Sequence, residues 1–295
     1  MGQICLQAQA KVNLTLDITG RRQDGYHLLQ SVMQSVSLAD HITLRKHNGT
    51  IALTTDHPSL PTDERNICWQ AAAAFFKHIG INGGVAIDLE KRIPIAAGLG
   101  GGSSNAAAVL VGLNKLFGSR LDLPELQRLG LTVGADVPFC LRGGTALVAG
   151  IGEKVKPLPH FNSAVLILVK PAAHISTGEV YGGFDPRNFG SSFTRDFITL
   201  LESGSALNVL GAACGNVLET VTGRLVPEIA LWKKRLALEG ALAAQMSGSG
   251  PTVFGIFACE EKARQFCLRW QDRVQLHLVR PMQYGVGVKQ MNGGD

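Results

Sequence analysis

Pro94-Ile95-Ala96-Ala97-Gly98-Leu99-Gly100-Gly101-Gly102-Ser103-Ser104-Asn105 carries no charge and little side-chain bulk. It runs straight into Ala106-Ala107-Ala108-Val109-Leu110-Val111, which reads as a helix. Glycines let backbone N–H groups turn inward around an anion. A helix N-terminus adds free donors and the positive end of a dipole. Together they predict a phosphate cradle. Two common phosphate fingerprints do not apply. A P-loop places Lys after its last glycine, whereas Ser103 follows Gly102. A dinucleotide fold, counted from Gly98 and Gly100, needs Gly or Ala where Ser103 stands. The stretch is a phosphate loop of a third kind.

Before the loop, residues 84–90 alternate Val85, Ile87 and Leu89 as a strand, and an alanine-rich helix over 66–79 ends at Gly80. Residues 42–46 and 50–54 flank His47-Asn48-Gly49, which predicts a hairpin. Residues 8–18 alternate strictly. Ala10, Val12, Leu14, Leu16 and Ile18 face one way, and Lys11, Asn13, Thr15 and Asp17 the other. This predicts one half-buried strand with a polar face.

After the loop, Pro124-Glu125 opens a short helix and 144–150 is strand-like. Composition changes near residue 155. Ala164–Val169 is a continuous apolar strand, and 182–215 reads as irregular and glycine-rich. An amphipathic helix over 227–238 follows. Strands at 252–257 and 275–279 enclose a helix at 260–270, giving a βαβ-like end around a second glycine loop, Met246-Ser247-Gly248-Ser249-Gly250-Pro251-Thr252. The expected division is a nucleotide-binding unit over 1–155, a second unit over 156–284 and a loose tail over 285–295.

The chain has 295 residues, 45% hydrophobic and 17% charged, enough for two domains. A net charge of +5 is mild, and its densest runs, Lys91-Arg92 and Lys233-Lys234-Arg235, are too short for a nucleic-acid surface. The six cysteines sit among apolar neighbours outside any CxxC pair, as buried thiols do in the cytoplasm. No apolar run has membrane-spanning length. The eight histidines lack metal-ligand spacing, so no metal residues are assigned. The chain does not disclose its oligomeric state.

Several residues carry two readings. Lys11 and Asn13 share a strand face, which is either solvated or the wall of a cleft. Asp136, in Gly134-Ala135-Asp136-Val137-Pro138-Phe139, is either a turn aspartate or a catalytic carboxylate in an apolar setting. Tyr26-His27 after Asp24-Gly25 is either an exposed turn tip or a stacking surface beside a hydrogen-bonding ring. Ser247-Gly248-Ser249-Gly250 is either a second anion nest or a flexible turn.

Three segments in this order resemble the GHMP kinases: Lys11-Val12-Asn13-Leu14, the loop from Gly98 to Asn105, and the second glycine loop. Within that family, Gly20-Arg21-Arg22-Gln23-Asp24-Gly25-Tyr26-His27, the Asp136 segment and Gly150-Ile151-Gly152-Glu153 are similar to members acting on a cytidine-diphosphate-linked methylerythritol. The resemblance implies a mixed α/β (α+β) two-domain fold. Its N-terminal α/β domain would contain a left-handed βαβ unit and its C-terminal domain would be ferredoxin-like, with the active site between them. It implies ATP, with Mg²⁺, as phosphoryl donor in isoprenoid-precursor biosynthesis.

The resemblance further implies that ATP lies along Pro94, Ile95, Ala96, Ala97, Gly98, Leu99, Gly100, Gly101, Gly102, Ser103 and Ser104, with Asn66 and Lys91 near the adenosine. Cytosine would stack between Tyr26 and Tyr181 and bond to His27, while Asn13 and Thr177 position the substrate. Asp136 would take the proton of the 2-hydroxyl, and Lys11 would hold Asp136 ionised and steady the moving phosphoryl group. Ser104 is a candidate Mg²⁺ ligand. Alternative readings are a mevalonate- or homoserine-type kinase, whose substrates offer no base to stack on Tyr26, and a non-catalytic ligand sensor. Met33 stands where relatives often carry an aromatic. Val217 stands where they commonly carry Asp.

Overall fold

The computed structural model describes residues 2–161, 164–185 and 189–292. The alternating segment forms two strands rather than one. β1 (Gln3–Asn13) and β2 (Thr15–Arg21) part at Leu14, whose N–H donates to the Val32 carbonyl at 2.8 Å. The long β3 (His27–His47) returns antiparallel to both. The polar face is not solvated: Gln9, Lys11, Asn13, Thr15 and Asp17 are all buried.

The expected hairpin does not form. Asn48-Gly49 turns the chain, with Gly49 at φ +70, but β4 (Ile51–Thr55) does not pair with β3. β5 (Gly84–Glu90) inserts between them, antiparallel to β3 and parallel to β4. Its alternating Val85, Ile87 and Leu89 are all buried in the core, and both its edges are hydrogen-bonded. α1 (Ile67–Ile79) makes the crossover between β4 and β5 and stops at Gly80, φ +70, as the sequence predicts.

α2 (Gly101–Leu116) follows the phosphate loop and lies across the sheet. Ala106, Ala107, Ala108, Val109 and Leu110 are fully buried. A Cβ on Gly112 would come within 2.4 Å of Leu44 Cδ1, so small residues set the approach of this helix to the sheet. α3 (Leu123–Leu131) starts with an Asp122–Glu125 capping box and Pro124. α4 (Val137–Arg142) follows Asp136. β6 (Thr145–Gly150) pairs with β3, and β7 (Lys154–Pro157) with β6, so the first sheet continues past the expected boundary at 155.

The second sheet contains β8 (Val165–Lys170), β10 (Ala243–Met246), β11 (Val253–Phe257) and β12 (Gln275–Val279), in the order β10-β11-β8-β12 and antiparallel throughout. α10 (Glu260–Trp270) joins β11 to β12, which flank β8. This split βαβ arrangement is ferredoxin-like. α9 (Glu228–Leu238) lies against β10 and β11.

The stretch read as irregular is more regular than expected. It contains α6 (Phe193–Glu202) and α7 (Leu207–Ala212), and ends at the two-residue β9 (Gly215–Asn216). Fully buried Phe197 anchors α6 to the apolar core between the two sheets. α5 (Thr177–Gly182) and α8 (Glu219–Leu225) complete the helices used below.

The tail is a correction. β13 (Val286–Asn292) pairs antiparallel with β1, returning the chain to the first sheet. Gly285 marks a tight crossing, since an added Cβ would meet the Cys140 carbonyl oxygen at 1.8 Å. Residues 293–295 of the expected tail lie outside the described residues. Among the described residues, no helix is long and apolar enough to cross a membrane.

Candidate active site

A cavity of about 950 Å³ is lined by residues from both halves of the chain. Its wall includes Lys11, Asn13, Tyr26, His27, Asn66, Lys91, every residue from Pro94 to Ser103, Asp136, Thr177, Tyr181, Gly248 and Ser249. Three of the expected residues are not on that wall: Ser104, Ser247 and Gly250.

The phosphate loop turns through left-handed residues: Gly98 at φ +75, Gly100 at φ +68 and, unusually for a residue with a Cβ, Ala96 at φ +50. Gly100 caps α2 without a side-chain hydrogen bond, and Gly101, Gly102 and Ser103 of its first turn line the cavity. A 16-residue helix therefore points its N-terminus at the open space. Ser104 is different. Its buried hydroxyl donates to the Gln9 carbonyl at 2.6 Å, which ties α2 to β1 and turns the side chain away from the cavity.

Beneath the loop lies Lys11. Its Nζ donates to Asn13 Oδ1 at 2.8 Å and to the Gly98 carbonyl at 3.1 Å, and stands 3.4 Å from the Asp136 carboxylate. A Cβ on Gly100 would sit 2.9 Å from Lys11 Cγ, so the glycine leaves room for the lysine stem. Asp136 begins α4 but does not cap it, which leaves its carboxylate, 32% exposed, facing the cavity. Gly150-Ile151-Gly152-Glu153 supports this position. Gly152 packs so closely that a Cβ would meet the Ala135 carbonyl at 2.3 Å, and Glu153 accepts from the Ile151 N–H at 2.7 Å.

Two expected nucleotide contacts are also structural. The Asn66 side chain accepts from the Cys68 N–H at 2.9 Å and donates to the Pro61 carbonyl at 2.8 Å, capping α1. Lys91 is ion-paired with fully buried Asp40 and donates to Asn105 Oδ1 at 3.1 Å. Asp40 also accepts from Asn105 Nδ2 at 2.7 Å and from the backbone N–H groups of Arg92 and Ile93 at 2.7 and 2.8 Å. One carboxylate thus joins the start of the phosphate loop to the first turns of α2. Sequence reasoning missed Asp40. Its signal was a carboxylate in phase with buried Ile42 and Leu44 on β3.

At the other end, Gly25 at φ +90 closes the β2–β3 turn and leaves Tyr26 64% exposed. His27 packs against Tyr181, ring centroids 5.5 Å apart, and against Phe184 at 6.1 Å. Burial, and then the Arg21 charge, lower the His27 pKa and favour the neutral ring. Burial raises the Tyr181 hydroxyl well above its ordinary range. Thr177 Oγ1 lies 3.1 Å from Ser249 Oγ.

The second glycine loop braces the first. Ser247 Oγ donates to the Gly98 carbonyl at 2.9 Å and accepts from the Asn13 N–H at 3.2 Å. Asn216 holds the loop from behind, donating to the Met246 and Gly248 carbonyls at 2.9 and 2.8 Å. It also accepts from the Leu218 N–H at 3.0 Å, so the turn leading into α8 has a side-chain partner although Val217 carries no carboxylate. Met33 is buried on the cavity wall.

Among the described residues, no group of three or more His, Cys, Asp or Glu could hold a metal ion. The cavity's carboxylates are Asp24, paired with Arg22 at 2.9 Å, and Asp136.

Two family profiles match the chain: the GHMP kinases N terminal domain over residues 66–144 and the GHMP kinases C terminal domain over 197–275. A 4-diphosphocytidyl-2-C-methyl-D-erythritol kinase of Alkaliphilus oremlandii (strain OhILAs) is 45% identical over 267 residues, covering 90% of this chain and 91% of its own. A crystal structure of 4-(cytidine 5'-diphospho)-2C-methyl-D-erythritol kinase superposes with a TM-score of 0.79 at 33% identity and full coverage of both chains. A homoserine kinase of Cytophaga hutchinsonii shares the fold, with a TM-score of 0.79 at 21% identity and 97% of each chain covered. The mixed two-domain architecture, the profiles and these relatives agree: the chain is an ATP-dependent small-molecule kinase that belongs to the GHMP kinases and, within them, to the 4-diphosphocytidyl-2-C-methyl-D-erythritol kinase family.

Proposed function

We propose that this chain transfers the terminal phosphoryl group of ATP to the 2-hydroxyl of 4-diphosphocytidyl-2-C-methyl-D-erythritol, giving the 2-phosphate and ADP, in the methylerythritol phosphate route to isoprenoid precursors. The observation that carries this reading is Lys11 Nζ 3.4 Å from the Asp136 carboxylate, below the glycine loop, in the cavity that Tyr26 and His27 also line. The relatives bearing that substrate's name support the choice of alcohol.

Phosphoryl transfer asks a protein mainly for positioning and charge stabilisation. In this reading the backbone from Pro94 to Ser103 and the start of α2 hold the phosphates. Ser104 acts by fixing α2 to β1. Asn66 and Lys91 shape the adenosine end while serving as a helix cap and an ion pair. Asp136 accepts the proton of the substrate hydroxyl as that oxygen bonds to phosphorus and the bond to the ADP oxygen breaks. Lys11 supplies positive charge where negative charge develops. Tyr26 and Tyr181 hold the cytosine, neutral His27 offers it a hydrogen bond, and Asn13 and Thr177 orient the remainder. Ser247, Gly248, Ser249 and Gly250 brace the first loop.

Mg²⁺ fits this site without a protein cage, because it keeps water and phosphate oxygens. Asp136 and Ser103, both on the cavity wall, would offer it side-chain oxygens, and bound Mg²⁺ would neutralise phosphate charge. The enzyme works in the cytoplasm on a small molecule. The buried Cys68 and Cys140 thiols, both pushed up to about 12 by burial, are inert. The working division of the chain falls just after β7, with β13 returning to the first unit.

An ADP-release assay with ATP and Mg²⁺ tests the reading. Turnover is expected with the cytidine substrate and not with mevalonate or homoserine. Turnover with either of those alone would overturn it.

A further inference from the structure

A second cavity, about 560 Å³, shares Lys91, Pro94 and Ile95 with the first as a common wall. Its far side is built from the end of β8 and the segment entering β12.

The lining is basic. Lys170, Arg273, His57 and His174 contribute to it, and no carboxylate does among the described residues. Two further cations on its wall are already neutralised, Lys91 by Asp40 and Arg92 by Glu90 at 3.6 Å. Lys170 and Arg273 have no carboxylate partner among the described residues.

Lys170 is the more unusual of the two. It is only 7% exposed, and its Nζ donates to the Pro171 and Ala173 carbonyls at 2.6 and 3.0 Å. An ammonium has three donors, so one remains for the cavity. A buried charge without a counter-ion is costly, and burial lowers the lysine pKa accordingly. Arg273 approaches from the exposed rim, with its guanidinium 5.5 Å from the Trp270 ring centroid. Pro171 and Val274 give the cavity an apolar side.

We propose that this cavity binds a small phosphorylated molecule, its phosphate or diphosphate held by Lys170 and Arg273 and its organic part against the apolar side. The anion supplies the counter-charge that Lys170 lacks. Lys91, Pro94 and Ile95 lie on the wall of both cavities, so an occupant here would sit beside the nucleotide end of the main site.

Inorganic pyrophosphate is the probe. It is titrated calorimetrically, in magnesium-free buffer at constant ionic strength, into protein whose nucleotide site is saturated with a non-hydrolysable ATP analogue. Saturable binding is expected, at least tenfold weaker in Arg273→Gln and in Lys170→Met, and unchanged in Asp136→Asn. Lys170 also ties down two carbonyls, so the exposed Arg273→Gln is the variant that decides should Lys170→Met not fold. Loss of pyrophosphate binding once the analogue is present would overturn the proposal, as the anion would then use only the nucleotide site. Equal affinity in wild type and Arg273→Gln would also overturn it.

Discussion

The loop at 98–102 and the loop at 247–250 are both glycine-rich and both contain left-handed residues, Gly98 and Gly100 in one, Gly248 and Gly250 in the other. Their surroundings differ. The first opens onto the cavity and begins a buried 16-residue helix. The second leads into β11 through Pro251 and is tied down by Ser247, Asn216 and Thr222. A Cβ on Gly98 would meet the Ser247 carbonyl oxygen at 2.2 Å, so this glycine is required by the other loop. Gly102 has only Ile67 nearby, at 3.6 Å, and otherwise faces open space. Glycine richness therefore reports a close approach of something to the backbone. At Gly98 that is the other loop, at Gly100 it is Lys11, and at Gly102, in our reading, it is a ligand.

The comparison breaks most severely if Asp136 can be replaced. Asp136→Asn is expected to lower kcat by about 10²- to 10⁴-fold, the usual scale for a positioned base, with nucleotide affinity retained. Turnover near wild type would remove the base from the scheme. The next largest effect is on stability. Asp40→Asn leaves the Lys91 ammonium buried without its counter-charge and is expected to cost about 3–5 kcal/mol in denaturant unfolding. A cost below about 1 kcal/mol would mean that the pair does not hold the first loop.

Much of this was legible in the chain. The first loop, its helix, α1 with its Gly80 stop and the βαβ-like end all follow from local pattern and punctuation. What was hidden depends on partners distant in sequence. Asn48-Gly49 signals a turn correctly, but β5, more than thirty residues on, takes the place beside β3. Gly285 looks like slack and is a point of backbone contact with Cys140. Lys11, Asn13 and Asp17 look like a solvated face because alternation cannot say whether water or protein covers it. Asp17 in fact accepts from the Thr194 N–H at 2.7 Å, at the start of α6. Ser104 shares the glycine loop's sequence signal, yet helical geometry turns it toward Gln9.

Smaller effects sharpen the contrast between the phosphate end and the base end. Tyr26→Ala is expected to weaken the cytidine substrate by about 1–3 kcal/mol, the scale of base–aromatic stacking, with the ATP KM unchanged. An equal loss for ATP would place Tyr26 at the wrong end. The pH dependence of His27 is smaller still. Its pKa lies below the ordinary 6.5 through burial and Arg21. Any stability tied to the neutral ring is complete above 6.5 and is lost as pH falls toward the folded value, since the unfolded chain takes up the proton first. The substrate KM depends on the folded ring and is expected to rise on the order of a few-fold only as pH falls through that lower folded value. A KM flat across it would separate His27 from the base.

The most direct test of the two-loop account is the affinity of a non-hydrolysable ATP analogue for two single variants, Gly102→Ala and Gly248→Ala. An added Cβ at 102 enters open cavity, whereas one at 248, where φ is +58, sits 3.3 Å from both Asn13 Oδ1 and the Gly98 carbonyl oxygen and 3.4 Å from Lys11 Nζ. The account predicts that Gly102→Ala folds normally and binds the analogue at least tenfold more weakly. Gly248→Ala should lose turnover, with a smaller loss of nucleotide affinity. The reverse pattern, with affinity lost at 248 and kept at 102, would contradict it.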